Sequence, residues 1–325
     1  MNTVEFLLKN ITLPIIFNKS VTYLQEKNKK IKKISLLIIT SCSSWGLIFS
    51  LPNSAQEFRS FDGSRNNLIN QNWGIAGSQL IRLTSAKYDD GISAPAGKER
   101  PSARIISNLI GSQSTSIPNS LQVTNWFWQW GQFLDHDLGL TPPHSPLETF
   151  DIAVPQADLF FDPQGSGRQT IGFNRSLYIN RGIRQQINEI TSYIDASMIY
   201  GSDQLRASTL RANDGTGKLK VSSGNLLMLN EVGLANDGGN SPDLFLSGDI
   251  RVNENIGLTA THTLFFREHN RLATEILAKL HQQEPILTQQ FQASNLSQAE
   301  FIYQTARKIV GAQIQVITYQ EFLPL

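Results

Sequence analysis

Cysteine is almost missing from this 325-residue sequence: Cys42 is the only one. A single thiol excludes both a disulfide framework and a thiolate metal site. An excess of either charge is missing too. Against 28 Lys and Arg stand 27 Asp and Glu, a formal net charge of +1, which leaves no electrostatic footprint for nucleic acid. Histidine is scarce at five residues, so imidazole chemistry must be drawn from His136, His144, His262, His269 and His281. No strand-rich region and no internal repeat stands out. What remains is an ordinary globular composition, 40% hydrophobic and 17% charged, long enough for one large domain or two small ones.

Near the N-terminus a basic run, Lys27 to Lys33, is followed by an apolar stretch from Ile34 to Leu51 and then by Pro52-Asn53-Ser54-Ala55-Gln56. This order matches an export signal cleaved after Ala55. Residues 1–55 are thus an export signal with an N-terminal extension, and the protein is expected to be secreted or otherwise extracytoplasmic. The long lead before Lys27 suggests a start downstream of Met1. The polar Ser41 to Ser44 weaken the stretch as a permanent membrane span. Ile39-Thr40-Ser41-Cys42 also resembles a bacterial lipidation box, so a lipid anchor at Cys42 is the second reading. It ranks lower because the apolar run continues to Phe49. Removal of the segment leaves residues 56–325 without any cysteine, and a bound metal or cofactor is one candidate for stiffening them.

From Glu57 to about Gly111, and on to Pro118, turn-forming dipeptides predict an irregular arm. Helix signals run from about Asn119 to Leu140, where Thr141-Pro142-Pro143 stops them. Phe150 to Asn180 and Asn213 to Asp249 read as loops. Ile183 to Ile190 and Asp203 to Arg211 read as short helices. Apolar residues at helical spacing predict a long helix over Leu258 to His281, ended by Pro285. Ser297 with Glu300 forms a capping box that opens a last helix to about Tyr319. The class is mainly α, with long loops that line a site or wrap a neighbour.

The stretch Trp126 to Asp137 combines an apolar, aromatic helix with a terminal run of carboxylate, imidazole and carboxylate. Burying three such groups is costly unless each has a partner. Successive helical residues diverge by about 100°, so Asp135, His136 and Asp137 cannot all serve one small centre. Gln132 and His136, four apart, share a face and are expected to look into one pocket, while Asp135 and Asp137 reach for different groups. The plainer alternative is a helix end with solvated charges.

Thr191-Ser192-Tyr193-Ile194-Asp195-Ala196-Ser197 has oxygen side chains at alternate positions, which face the same way in extended backbone. Thr191, Asp195 and Ser197, with the carbonyl of Tyr193, offer hard oxygen donors, and calcium takes roughly six to eight. Asp137 is the natural second carboxylate. A turn with local side-chain-to-backbone hydrogen bonds is the alternative. An arginine at 251 buried near His136 would stabilise negative charge on a bound oxygen species; taken alone, Arg251 and Glu254 read first as an ordinary surface pair. His262 and His269 read as structural hydrogen-bonding groups, and His144 and His281 as solvated.

Together, Gln129 to Asp137, Thr191 to Ser197, Gly248-Asp249-Ile250-Arg251 and Thr263 to Ala273 resemble the animal-type haem peroxidases of the peroxidase–cyclooxygenase superfamily. Arg59 to Gly63, Tyr88 to Gly91 and Ala306 to Gly311 match in order too, so the resemblance runs from about residue 57 to the end. It implies a helical haem peroxidase fold that reduces hydrogen peroxide and oxidises a halide, thiocyanate or organic donor. By the resemblance, His136 is the distal acid–base group, Arg251 the distal arginine, and Gln132 the glutamine that orients peroxide or halide. Asp135 and Glu254 match the carboxylates that form ester bonds to haem b. Asp137, Thr191, Tyr193, Asp195 and Ser197 match a calcium site.

Two departures from the family pattern shape the expectation. Asn255 stands where some members carry a methionine linked to the haem, which argues against efficient chloride oxidation. The axial histidine of the family lies well past the distal arginine, and haem chemistry depends on that ligand, yet no histidine follows His281. The sequence is therefore expected to cover the distal half of the domain, truncated before the proximal half. The competing expectations are a catalytically inactive fragment, a calcium-dependent binding or adhesion module, one half of a split peroxidase completed by a second chain, or a fatty-acid dioxygenase of the same superfamily.

Overall fold

A computed structural model describes residues 57–325; the expected export signal, its cleavage point and Cys42 lie outside the described residues. In chain order these residues form helices α1 (Ala103–Gly111), α2 (Trp126–Asp135), α3 (Ser197–Tyr200), α4 (Gln204–Thr209), α5 (Ile256–His281), α6 (Pro285–Ser294) and α7 (Gln298–Ile317). Strands are short: β1 (Ser78–Gln79), β2 (Ile152–Ala153), β3 (Thr170–Ile171), β4 (Tyr178–Asn180), β5 (Arg184–Asn188), β6 (Val221–Ser222) and β7 (Leu226–Leu227). The mainly α expectation is met, with long connections between helices.

Helix α5 is the spine. Asn255 caps it by accepting from the Leu258 N–H at 2.9 Å, and Lys279 and His281 sit in its last turn, where the helix dipole favours cations. Leu258, Phe265, Phe266, Leu272, Ala273 and Ile276 turn inward and pack against α7 through Ile302, Ala306, Val310 and Ile314. Each large apolar side chain buried this way contributes about 1.5–3 kcal/mol. Leu264 is 60% exposed, while Phe266 is fully buried. Ser297 caps α7 by accepting from the Glu300 N–H at 3.3 Å. The Glu300 carboxylate turns to Arg211 and Gln304 rather than back to the cap.

Several local expectations are corrected. Residues 184–188 form strand β5, not a helix. Arginine and glutamine favour helix by propensity, but pairing on both edges outweighs it. Gly182, at φ +82°, turns β4 back onto β5, and β1 pairs on the other side, with Ser78 opposite Asn188. Helix α2 is shorter than the span 119–140. Residues 103–111 leave the arm to form α1, capped by Ser102 accepting from the Ile105 N–H. Pro285 does not end α5, which stops at His281; it opens α6, where its missing N–H has no cost. Among the described residues no helix is long and apolar enough to cross a membrane.

Candidate active site

Helix α2 is fixed by its aromatic face. Phe133 is fully buried, stacked on Phe265 of α5 at 5.3 Å between ring centroids and edge-on to His262 at 5.0 Å. The helix ends where the Leu138 and Gly139 N–H groups both turn back to the Asp135 carbonyl. Buried Asn188, at the end of β5, holds the exit by donating to the Leu138 carbonyl and accepting from the Leu140 N–H. His136 and Asp137 are thereby presented on a rigid turn.

His136 is 4% exposed, with Nε2 3.7 Å from a Glu254 carboxylate oxygen and Nδ1 3.8 Å from Asp249 Oδ1. Gln132 donates to the same Glu254 oxygen at 2.8 Å. Asn255 Nδ2 and Gln129 Nε2 both donate to Gln132 Oε1, so the amide is locked in one orientation. Asn255 thus has a job of its own: it caps α5 and orients Gln132. Arg251 is held by Asp249 with Nε to Oδ1 at 2.8 Å and a terminal nitrogen to Oδ2 at 2.7 Å, and its own backbone N–H donates to Oδ1 as well. The bidentate pair is nearly enclosed and fixes the guanidinium plane.

The electrostatics follow from burial. Desolvation lowers the His136 pKa, Arg251 lowers it further, and Asp249 and Asp135 oppose them. A neutral imidazole, ready to accept a proton, is the favoured form. Burial raises the Glu254 pKa, against the lowering effects of Gln132 and Arg251.

Asp137 turns the other way, toward the segment 195–198. Its Oδ2 accepts from the N–H groups of Asp195 and Ala196 at 3.0 and 2.9 Å, and Oδ1 accepts from the Ser197 hydroxyl at 2.7 Å. Ala196 takes a left-handed φ of 65°, a strained setting for a non-glycine residue that aims two successive N–H groups at one carboxylate. Asp195 Oδ1 accepts from the Thr191 hydroxyl at 3.0 Å. Tyr193 is half-buried and its hydroxyl donates to the Trp73 carbonyl. Asp137 is fully buried and Asp195 is 3% exposed, and among the described residues neither forms an ion pair. Burial first, and the charge of Asp195 second, push the Asp137 pKa up to about 8; Asp195 is raised too. Two buried carboxylates that repel each other, flanked by hydroxyls, fit a hard divalent cation. No group of three or more His, Cys, Asp or Glu side chains converges among the described residues, so a cation here would draw on two carboxylates and on hydroxyl and carbonyl oxygens.

The remaining candidates are spread out. Asp135 is exposed, and its carboxylate joins no hydrogen bond or ion pair among the described residues. His262 and His269 are fully buried, bonded to Ser247 and to Tyr200 respectively. His144 is not solvated as expected; it lies half-buried against the Tyr178 ring at 4.6 Å. Asp249 was missed by sequence reasoning, although a carboxylate two residues before the arginine was the signal for it.

Residues 58–325 match the family model for animal haem peroxidases. Peroxidasin of Drosophila melanogaster is 33% identical over 315 residues, a match covering 82% of this chain and 19% of that protein. The solved structure of peroxidase A from Dictyostelium discoideum aligns with a TM-score of 0.69 at 34% identity, covering 83% of this chain and 53% of that one. The fatty acid alpha-dioxygenase of Arabidopsis thaliana aligns with a TM-score of 0.60 at 22% identity, a likeness of fold alone. The chain thus spans about half of the solved peroxidase and a fifth of peroxidasin.

Proposed function

The chain belongs to the animal haem peroxidase family, and from that premise we propose that it forms the peroxide-activating side of an extracytoplasmic peroxidase. The observation that carries the reading is the meeting of a buried neutral imidazole, an immobilised guanidinium and an oriented amide, supplied by residues 132–136 and 249–255. Haem supplies the redox chemistry when bound, and Asp135 and Glu254 are the residues that would hold it. His136 takes the proton from one peroxide oxygen at Nε2 and returns it to the other as the O–O bond breaks. Arg251, kept in place by Asp249, stabilises the negative charge that develops on the departing oxygen. Gln132 orients the incoming peroxide. The electron donor is a bromide, iodide, thiocyanate or small organic molecule.

Calcium binds Asp137, Asp195, Thr191, Ser197 and the Tyr193 carbonyl, and ties the turn that carries His136 to the loop at 191–197. His262 and His269 are committed to the core through Ser247 and Tyr200 and would not hold the haem. Export is proposed from the signal read at residues 27–55. The dioxygenase reading has only a likeness of fold behind it.

The test is stopped-flow mixing of the haem-loaded protein with hydrogen peroxide, comparing the wild type with His136→Ala. A drop of about 10²–10⁴ in rate is expected for loss of a general acid–base group. An unchanged rate would remove His136 from the chemistry and the proposal with it.

A further inference from the structure

Two buried histidine ring nitrogens, on His136 and His262, have no hydrogen-bond partner among the described residues. His136 Nδ1 is buried and has no hydrogen-bond partner among the described residues. Its nearest charged acceptor, Asp249 Oδ1, is 3.8 Å away, too far for a direct bond and in the range that a bridging water spans.

His262, on α5, is 0% exposed. Its Nδ1 lies 3.1 Å from the Ser247 hydroxyl, and that hydroxyl has already given its one proton to the Met198 carbonyl at 2.9 Å. Ser247 must therefore accept, which makes His262 the Nδ1–H tautomer. Burial keeps this ring neutral, its pKa pushed down to about 3. His262 Nε2 is then a bare lone pair, buried and without a donor. The ring feels both Asp249 and His136, and Phe133, one turn before His136 on α2, packs edge-on against it.

We infer that one buried water joins these three groups, accepting from His136 Nδ1–H and donating to His262 Nε2 and Asp249 Oδ1. The protons balance: one bond accepted and two donated, with no group left over. About three bonds is the usual complement of a buried water. The consequence is a fixed tautomer. With its proton held on Nδ1, His136 presents Nε2 as a free base toward Gln132 and Glu254, which is what the proposed peroxide chemistry needs; the functional value of the tautomer rests on that reading. His262 and Asp249 are positioning residues, acting through His136. The water also accounts for a buried histidine with an otherwise bare ring nitrogen, which would be costly to keep.

The test is ¹⁵N NMR of the full chain labelled at histidine, without haem, with His136 assigned from the signals lost in His136→Gln. The expected spectrum has a protonated Nδ1 and an unprotonated Nε2 on both His136 and His262, with a cross-peak from the His136 Nδ1 proton to a long-lived water. In His262→Phe the water loses an anchor and His136 should become a mixture of tautomers. His262→Gln, whose amide oxygen can accept from the same water, should restore most of the Nδ1–H form. A wild-type His136 protonated on Nε2, or a Nδ1 proton with cross-peaks to protein protons alone, overturns the inference, and neither needs a His262 variant to fold. Because this readout is independent of peroxide, a chain with the expected tautomer and no peroxide reactivity would reject the function and leave the water in place.

Discussion

The carboxylate of Asp137 and the hydroxyl of Ser197 are 60 residues apart in sequence and 2.7 Å apart in space. That contact, with the N–H groups of Asp195 and Ala196 on the other oxygen, stitches the turn carrying His136 to the loop at 191–197. Its weakness is that Asp137 and Asp195 are both carboxylates and both buried.

The first prediction follows from that weakness. In calcium-free protein the folded-state pKa of Asp137 is raised to about 8 from 3.8. The folded state therefore binds more protons than the unfolded state between those values. Stability from this group is fully present below pH 3.8 and is lost as the pH rises through about 8, by roughly a few kcal/mol. Calcium should abolish that loss and raise the melting temperature most at the alkaline end. Melting curves with chelator and with calcium across this range check it. A calcium effect that is absent, or that grows toward acid, would contradict the site.

The second concerns pH and rate. Burial and Arg251 both lower the His136 pKa, so the acid limb of peroxide activation should fall at a lower pH than a free imidazole would give. In Arg251→Gln one lowering influence is gone and Asp249 is left unpaired beside the ring. The acid limb should move to higher pH while the plateau rate falls by about 10²-fold or more, the scale for losing a preorganised charge stabiliser. A plateau change with an unmoved limb would mean that Arg251 does not act on His136.

How far these features could be read from sequence differs by kind. Spacing located α5 because apolar residues repeating at helical period form one continuous face only when the backbone is helical. The cap at Ser297 followed from side-chain chemistry, which is local. β5 was misread because Arg184-Gln185-Gln186 favours helix, and only pairing with the neighbouring β4 and the distant β1 overrides that preference. Asp249 and His262 were underweighted for a similar reason. Nothing in the sequence says that Asp249 turns back onto Arg251 or that Ser247 fixes the proton on His262.

The third prediction separates a paired charge from its loss. Asp249→Ala leaves the largely buried Arg251 without its carboxylate, and breaking a buried pair costs about 3–5 kcal/mol. Chemical denaturation should show that loss in the calcium-loaded protein. A change within about 0.5 kcal/mol, the range of ordinary surface substitutions, would mean that the pair is solvated in solution.

The fourth prediction joins the two halves of the site. Gly248 precedes Asp249 and lies against the backbone of α3. A methyl group there would sit under 3.0 Å from the Ser197 carbonyl oxygen, the Gly201 nitrogen and the Ile199 carbonyl carbon. These are main-chain atoms that cannot swing aside as a side chain can. The close approach lets the Asp249 N–H donate to the Met198 carbonyl at 3.0 Å, so Gly248 sets the distance between the cation loop and the Asp249–Arg251 pair. Gly248→Ala must push the two apart, with a cost at the upper end of overpacking, about 3 kcal/mol or more. Because both sites share this contact, the variant should lose calcium affinity and peroxide reactivity together, though it touches no ligand and no reacting group. Calorimetric calcium titration and stopped-flow peroxide kinetics on the same preparation check the coupling. If one property fell and the other held, the two sites would be independent, and Gly248 would be a packing residue of α3 alone.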